Sequence, residues 1–275
     1  MKLLVPTNFT QIAQMALDSA ITLTHQMLKT EIILVHFEIH EQNSVIQITE
    51  DVVVQNDLEE TFKKCKLNLQ AIQKQFPTQK INMVYIAYEK EAFLYEQIDK
   101  IEADLIVMGT QSVERYENEK LVGNNTKRFI KNLKTPILCL KNNLSTDDIE
   151  KIVFASSLKG KHIDEINKLT PLFEGLKCTV EILHICTPDK FLTTDKAEKL
   201  FEHHKPQIKY KNLEFKMVND IGTAEGLVNY CNQNQIKLFV LPIHSKKYLD
   251  RLINGSLSEM VLDDINTPTI SIASN

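Results

Sequence analysis

Seven glycines occur in the 275-residue chain. Three of them, Gly109, Gly123 and Gly255, fall in two stretches that each follow an apolar run. Glycine there lets a backbone approach a ligand closely or adopt positive φ. The segments Gly123-Asn124-Asn125-Thr126 and Gly255-Ser256-Leu257-Ser258 then open amphipathic stretches. At a helix N-terminus, small polar residues leave N–H groups facing outward, a ready site for phosphate or another anion. The same residues serve ordinary N-capping, with Asn125 or Ser256 closing the helix on itself, and the sequence leaves both uses open.

Other reactive side chains do not assemble. His203 and His204 are adjacent on a helical stretch, so their rings diverge, and no nearby Cys or carboxylate completes a metal set. His36 and His184 occupy matching strand positions and read as structural histidines. Lys246, Lys247 and Arg251 could meet phosphates, although a solvated basic face is their default use. Glu59-Glu60 and Lys63-Lys64 are spaced four apart, as helix-surface pairs are. There is no catalytic triad, no Walker A sequence and no carboxylate pair that periodicity would bring together, so the expectation is a protein without catalysis and without a bound metal. The five cysteines (Cys65, Cys139, Cys178, Cys186, Cys231) are scattered without a CxxC pair and read as buried free thiols.

The elements that must position the glycine loops repeat along the chain. Residues 2–9 match 151–158 at an offset of 149, and Ile32-Ile33-Leu34-Val35-His36 matches Val180-Glu181-Ile182-Leu183-His184 at 148. Leu105 to Gly109 matches Leu238 to Pro242 at 133, while Gly123 matches Gly255 and Thr135-Pro136 matches Thr267-Pro268 at 132. The offset drops across segment 40–57, an insertion in the first copy. Two domains follow, 1–141 and 149–275, joined by the polar stretch from Asn142 to Asp148.

Within each copy, short apolar runs alternate with helical stripes. Ile12, Ala16, Ala20, Leu23 and Met27 form one stripe, with Thr10 as its N-cap. Leu58, Phe62, Cys65, Leu69, Ile72 and Phe76 form another. In the second copy, helices are expected over about 160–174, 189–204, 222–234 and 256–265. Strands apolar at every position, such as 105–108 and 238–241, suit a parallel sheet buried on both faces. In such sheets, ligands bind beyond the carboxyl ends of the strands.

These elements resemble the universal stress protein domain. That family carries Gly-x-x-Gly, nine residues and then Gly-Ser or Gly-Thr after the fourth strand, an aspartate after the first strand, and a Pro-Val-Leu-Val type last strand. Asn8, in Pro6-Thr7-Asn8, occupies the aspartate position, and Leu34-Val35-His36 looks like the family's second strand. Gly109 keeps the first glycine, Ser112 replaces the second, and Gly123-Asn124-Asn125-Thr126 stands where Gly-Ser-Asn-Thr is common. In the second copy Ser157 holds the aspartate position, Pro242 and Ser245 replace the glycines, and Gly255-Ser256 is intact. His244 matches the histidine within the family's Gly-Thr-His-Gly.

The resemblance implies two doubly wound α/β domains, each a parallel five-stranded sheet in the order 3-2-1-4-5 of the adenine nucleotide alpha hydrolase-like fold. It also implies an internal pseudo-dimer in which the last strands meet antiparallel; further homodimer formation stays open. ATP or another adenine nucleotide would bind the first copy, where Asn8 keeps an acceptor for a sugar hydroxyl or an adenine amine. Proline has fixed φ and no N–H, so the second copy is expected to be impaired. The competing reading is a scaffold acting through protein partners. A nucleotide-processing enzyme is the third, without an identified base or metal set.

Composition agrees. With 32 basic and 36 acidic residues and a net charge of −4, the chain offers no electrostatic footprint for duplex DNA or an anionic membrane. The apolar run Leu3-Leu4-Val5 is too short for a signal peptide, and no run reaches the roughly 18 apolar residues of a membrane span. The expected compartment is the cytoplasm.

Overall fold

The computed structural model describes residues 1–27, 29–49, 59–110, 124–146, 149–158, 160, 162–244, 265 and 267–274. Ser112, Gly123, Ser245, Lys246, Lys247, Arg251, Gly255, Ser256, Leu58 and the helix expected over 256–265 lie outside the described residues. The chain packs as two units, 1–109 and 110–275.

The first unit runs β1 (Lys2–Pro6), α1 (Gln11–Gln26), β2 (Glu31–Ile39), β3 (Ser44–Ile48), α2 (Glu59–Gln75), β4 (Ile81–Tyr88), α3 (Glu91–Lys100) and β5 (Leu105–Gly109). Its strands lie in the order β3-β4-β2-β1-β5. β1 is parallel to β2 and β5, and β2 is parallel to β4. Leu3, Leu4, Leu34, Val35 and Leu105 to Val107 are fully buried, because helices cover both faces of a parallel sheet. Thr10 caps α1, its hydroxyl oxygen accepting from the Ala13 N–H. The insertion adds something the sequence did not announce: β3 pairs antiparallel with β4 and becomes the outermost strand.

The second unit runs α4 (Asn124–Asn132), β6 (Ile137–Leu140), β7 (Lys151–Ala155), α5 (Ile163–Lys168), α6 (Thr170–Leu176), β8 (Thr179–Cys186), α7 (Thr194–His204), β9 (Leu213–Asn219), α8 (Thr223–Gln233), β10 (Leu238–His244) and β11 (Thr269–Ser274). Its order is β6-β11-β10-β7-β8-β9. The five strands of the second copy thus follow 3-2-1-4-5, all parallel.

β6, the last strand of the first copy, pairs antiparallel with β11, the last strand of the second, with Ile270 opposite Leu138. That pairing consumes the open edge β11 would otherwise present. It is also why the packing boundary falls at residue 109, ahead of the linker between the sequence copies.

Two expected helices are interrupted. The one expected over 160–174 breaks at Leu169 (φ −89°, ψ −1°) into α5 and α6. Pro171 has no N–H to continue the α5 ladder, so a new helix starts around it. The helix expected from 189 starts at Thr194 after a short 3₁₀ turn over Pro188–Lys190, with Thr193 as N-cap.

The repeat is also written in the backbone. Six non-glycine residues among those described have positive φ, and they form three pairs: Phe9 (60°) with Leu158 (57°), Lys29 (55°) with Lys177 (52°), and Glu102 (53°) with Gln235 (49°). Their spacings of 149, 148 and 133 are those at which the sequence repeats. A left-handed non-glycine residue costs about 1–2 kcal/mol, so its recurrence at matching positions marks one chain path used twice.

All five cysteines are free and buried. Burial pushes the thiols of Cys65 and Cys178 up to about 11 and those of Cys139 and Cys231 up to about 12. No helix among the described residues is long and apolar enough to cross a membrane.

Candidate functional site

In the first unit, β1 connects to β2 on one side of the sheet, and the chain returns through β5 on the other. The carboxyl ends of β1 and β5 therefore flank the switch point, where open α/β sheets bind ligands. Pro6, Thr7, Asn8 and Gly109 stand at those two ends.

The corner after β1 is tightly held. The Thr7 N–H donates to the Val35 carbonyl at 2.9 Å, and the Phe9 N–H donates to the Thr7 hydroxyl at 3.1 Å. Val35 is fully buried and supports the corner from the neighbouring strand. Asn8 is exposed. Its Oδ1 accepts from the Thr10 N–H at 3.2 Å and from the Thr10 hydroxyl at 2.7 Å. A backbone N–H can donate only to the oxygen of the amide, which fixes the orientation of the group. Both lone pairs of Oδ1 are then occupied. Nδ2 has no hydrogen-bond partner among the described residues and is the group Asn8 presents outward. The acceptor expected of Asn8 is thus turned inward, and a donor replaces it.

Gly109 has a packing reason rather than a conformational one. It is not among the positive-φ residues. A Cβ built on it would lie 2.4 Å from Ile12 Cγ2 and 2.7 Å from the Ile12 carbonyl oxygen. The absent side chain lets α1 sit directly on the end of β5. Backbone φ is therefore not what sets Gly109 apart from Pro242, contrary to the sequence argument. Gly109→Ala is expected to force α1 away from β5 and to cost about 1–3 kcal/mol, as overpacking does. Chemical denaturation checks this, and an unchanged midpoint would contradict the packing account.

Asn125 and Thr126 lie in the second unit. Asn125 is exposed, but it is the second residue of α4, past the cap position it was expected to fill. Thr126 is buried. Asn124 opens α4, and His244 ends β10.

The corresponding corner of the second unit is built differently. The Ser157 N–H donates to His162 Nε2 at 3.0 Å, and Ser157 Oγ lies 3.1 Å from the same nitrogen. The His162 ring is buried and meets Phe154 edge-on. At the repeat spacing of 149, Ala13 stands where His162 does. In the second corner the Ser157 N–H and hydroxyl both turn to His162, where the first leaves Nδ2 outward. The sequence reading missed His162; its only signal was a histidine five residues beyond Ser157, replacing an alanine in the other copy. Among the described residues, no three His, Cys, Asp or Glu side chains converge on a metal-sized site.

The sequence model of the universal stress protein family matches residues 1–141. The chain belongs to the universal stress protein family. Among solved structures, a universal stress protein from Archaeoglobus fulgidus DSM 4304 is similar at a TM-score of 0.74 and 12% identity, over 100% of this chain and 96% of that one. A protein of unknown function from Pseudomonas aeruginosa PAO1 matches at 0.61 and 14%, over 99% and 92%. The cytoplasmic domain of a prokaryotic cation chloride cotransporter matches at 0.53 and 9%, over 98% and 94%. At such identities the likeness shows the fold alone. No curated protein matches the sequence. For a universal stress protein, the departures are specific: asparagine at the aspartate position of the first copy, and a serine already bonded to histidine in the second.

Proposed function

We propose that this universal stress protein is a stress-response protein that binds an adenine nucleotide at the carboxyl edge of its first unit, without turning it over. One observation carries the reading: Nδ2 of Asn8 is an uncommitted donor on a rigid corner at the switch point. A donor there suits an acceptor on the ligand, such as an adenine ring nitrogen or a ribose or phosphate oxygen, rather than an amine. The second unit is not an equivalent site in this reading, because Ser157 turns its N–H and hydroxyl towards His162 instead of outward.

Titration calorimetry with ATP, ADP and AMP tests this. Wild-type protein is expected to bind at least one of them, and Asn8→Leu to weaken that binding about tenfold, the worth of one hydrogen bond of about 1.4 kcal/mol. No heat at millimolar nucleotide would remove the reading in favour of a scaffold.

A further inference from the structure

The group that holds the chain on either side of Asn8 lies on the neighbouring strand. His36 sits on β2, half-buried, and its Nδ1 lies 2.8 Å from the Thr7 carbonyl oxygen. A carbonyl can only accept, so Nδ1 carries the proton and donates. The ring also packs against Phe9, at 5.1 Å and 30°, and Tyr85, at 5.9 Å and 29°. Tyr85 is fully buried and anchored in turn, its hydroxyl donating to Glu38 at 2.5 Å. His36 therefore holds the carbonyl of the residue before Asn8 and the ring of the residue after it. Phe9 is held there at a φ of 60°, a conformation L-residues avoid.

The second unit shows which part is general and which is particular. His184 Nδ1 donates to the Ser156 carbonyl at 2.9 Å, the same contact. But Leu158 stands in place of Phe9, and Met217 is the register partner of His184 where Tyr85 partners His36. The hydrogen bond recurs in both units, and the three-ring cluster belongs to the first. We propose that His36 is a positioning residue for nucleotide binding: through the Thr7 carbonyl and the Phe9 ring it fixes the direction in which Asn8 presents Nδ2. This rests on the nucleotide reading above and names what makes the first corner competent.

The test uses the full chain and four proteins: wild type, His36→Phe, His36→Asn and His184→Phe. His36→Phe keeps a flat ring in the stack and removes the donor. His36→Asn keeps an N–H near the Thr7 carbonyl. ATP affinity is expected to fall about tenfold in His36→Phe and to recover in part in His36→Asn. His184→Phe loses the equivalent bond and a similar amount of thermal stability, yet should bind ATP as wild type does. Equal ATP affinity in His36→Phe and His184→Phe would reduce His36 to a structural residue and overturn the proposal. If wild type itself gives no heat with ATP, the nucleotide reading fails, and the positioning is judged on ligand-free protein by nitrogen-15 NMR. The Asn8 side-chain amide and the Thr10 backbone amide should then shift and broaden in His36→Phe and stay in place in His184→Phe. Unmoved resonances in His36→Phe would overturn it.

Discussion

Ile270→Asp is expected to unfold the second unit, with a loss of at least about 4–5 kcal/mol. Ile270 has no exposure to solvent. It lies between two partners, Val240 on β10 and Leu138 on β6. A carboxylate there has neither water nor a counter-charge, and the loss is a large share of the roughly 5–15 kcal/mol that holds a domain together. Ile270→Val trims a single methylene and should cost about 0.5–1.5 kcal/mol. Denaturant unfolding followed by circular dichroism separates the two. If Ile270→Asp melts like wild type, β11 is not the central strand that joins the last strand of one copy to the sheet of the other.

Lys151→Met should cost about 1–3 kcal/mol, below the range for a fully buried ion pair because the 39% exposed ammonium is screened by solvent while Glu181 is left buried. Lys151 Nζ lies 2.9 Å from Glu181 and 3.1 Å from Glu214, two carboxylates that are register partners on β8 and β9. The Glu181 side chain is 6% exposed, and the Tyr230 hydroxyl donates to its other oxygen at 2.5 Å. Without the ammonium, Glu181 is a buried charge beside a like charge. Glu181→Gln should cost less, because the Lys151 side chain is 39% exposed and keeps Glu214.

The pH dependence has a definite sign. The Glu181 hydrogen bond, foremost, holds the Lys151 ammonium above the ordinary 10.5. A base whose pKa is raised by folding contributes stability that is complete below its unfolded pKa and is lost as pH rises through the folded value. Wild type should therefore lose stability above about pH 10.5 more steeply than Lys151→Met. Parallel melting curves from pH 8 upward would show it, and equal slopes would refute the linkage.

The candidate site was legible only in outline. Matching runs at 2–9 and 151–158 placed Asn8 and Ser157 at equivalent strand ends, and the three pairs of left-handed residues recur at the same spacings. Those positions follow from local pattern, because a strand that must be apolar on both faces and a helix with one apolar stripe leave their marks in nearby residues. Which atom Asn8 shows to solvent was not legible. It depends on the Thr10 hydroxyl and N–H taking Oδ1, a matter of side-chain direction that spacing does not encode. His162 on Ser157 and His36 on Thr7 were equally hidden, since each contact needs a ring to fold back over a strand end. The break at Leu169 could have been anticipated from Pro171. The added edge strand β3 was not read, because it has no counterpart in the second copy and is ordered by pairing with β4.

By itself, the sequence determined that one βα chain path is used twice, that every cysteine is a buried thiol, and roughly where the strands shared by the two copies lie. These follow from periodicity and hydrophobicity, which act over a few residues. The antiparallel meeting of β6 and β11 was expected from the family resemblance; tertiary structure alone decided that Lys151, Glu181 and Tyr230 form one charged cluster, and that one corner offers a donor while Ser157 in its twin turns to His162. Each of these is a contact between residues distant in sequence or a choice of rotamer, and its energy exists only once the sheet has brought the partners together.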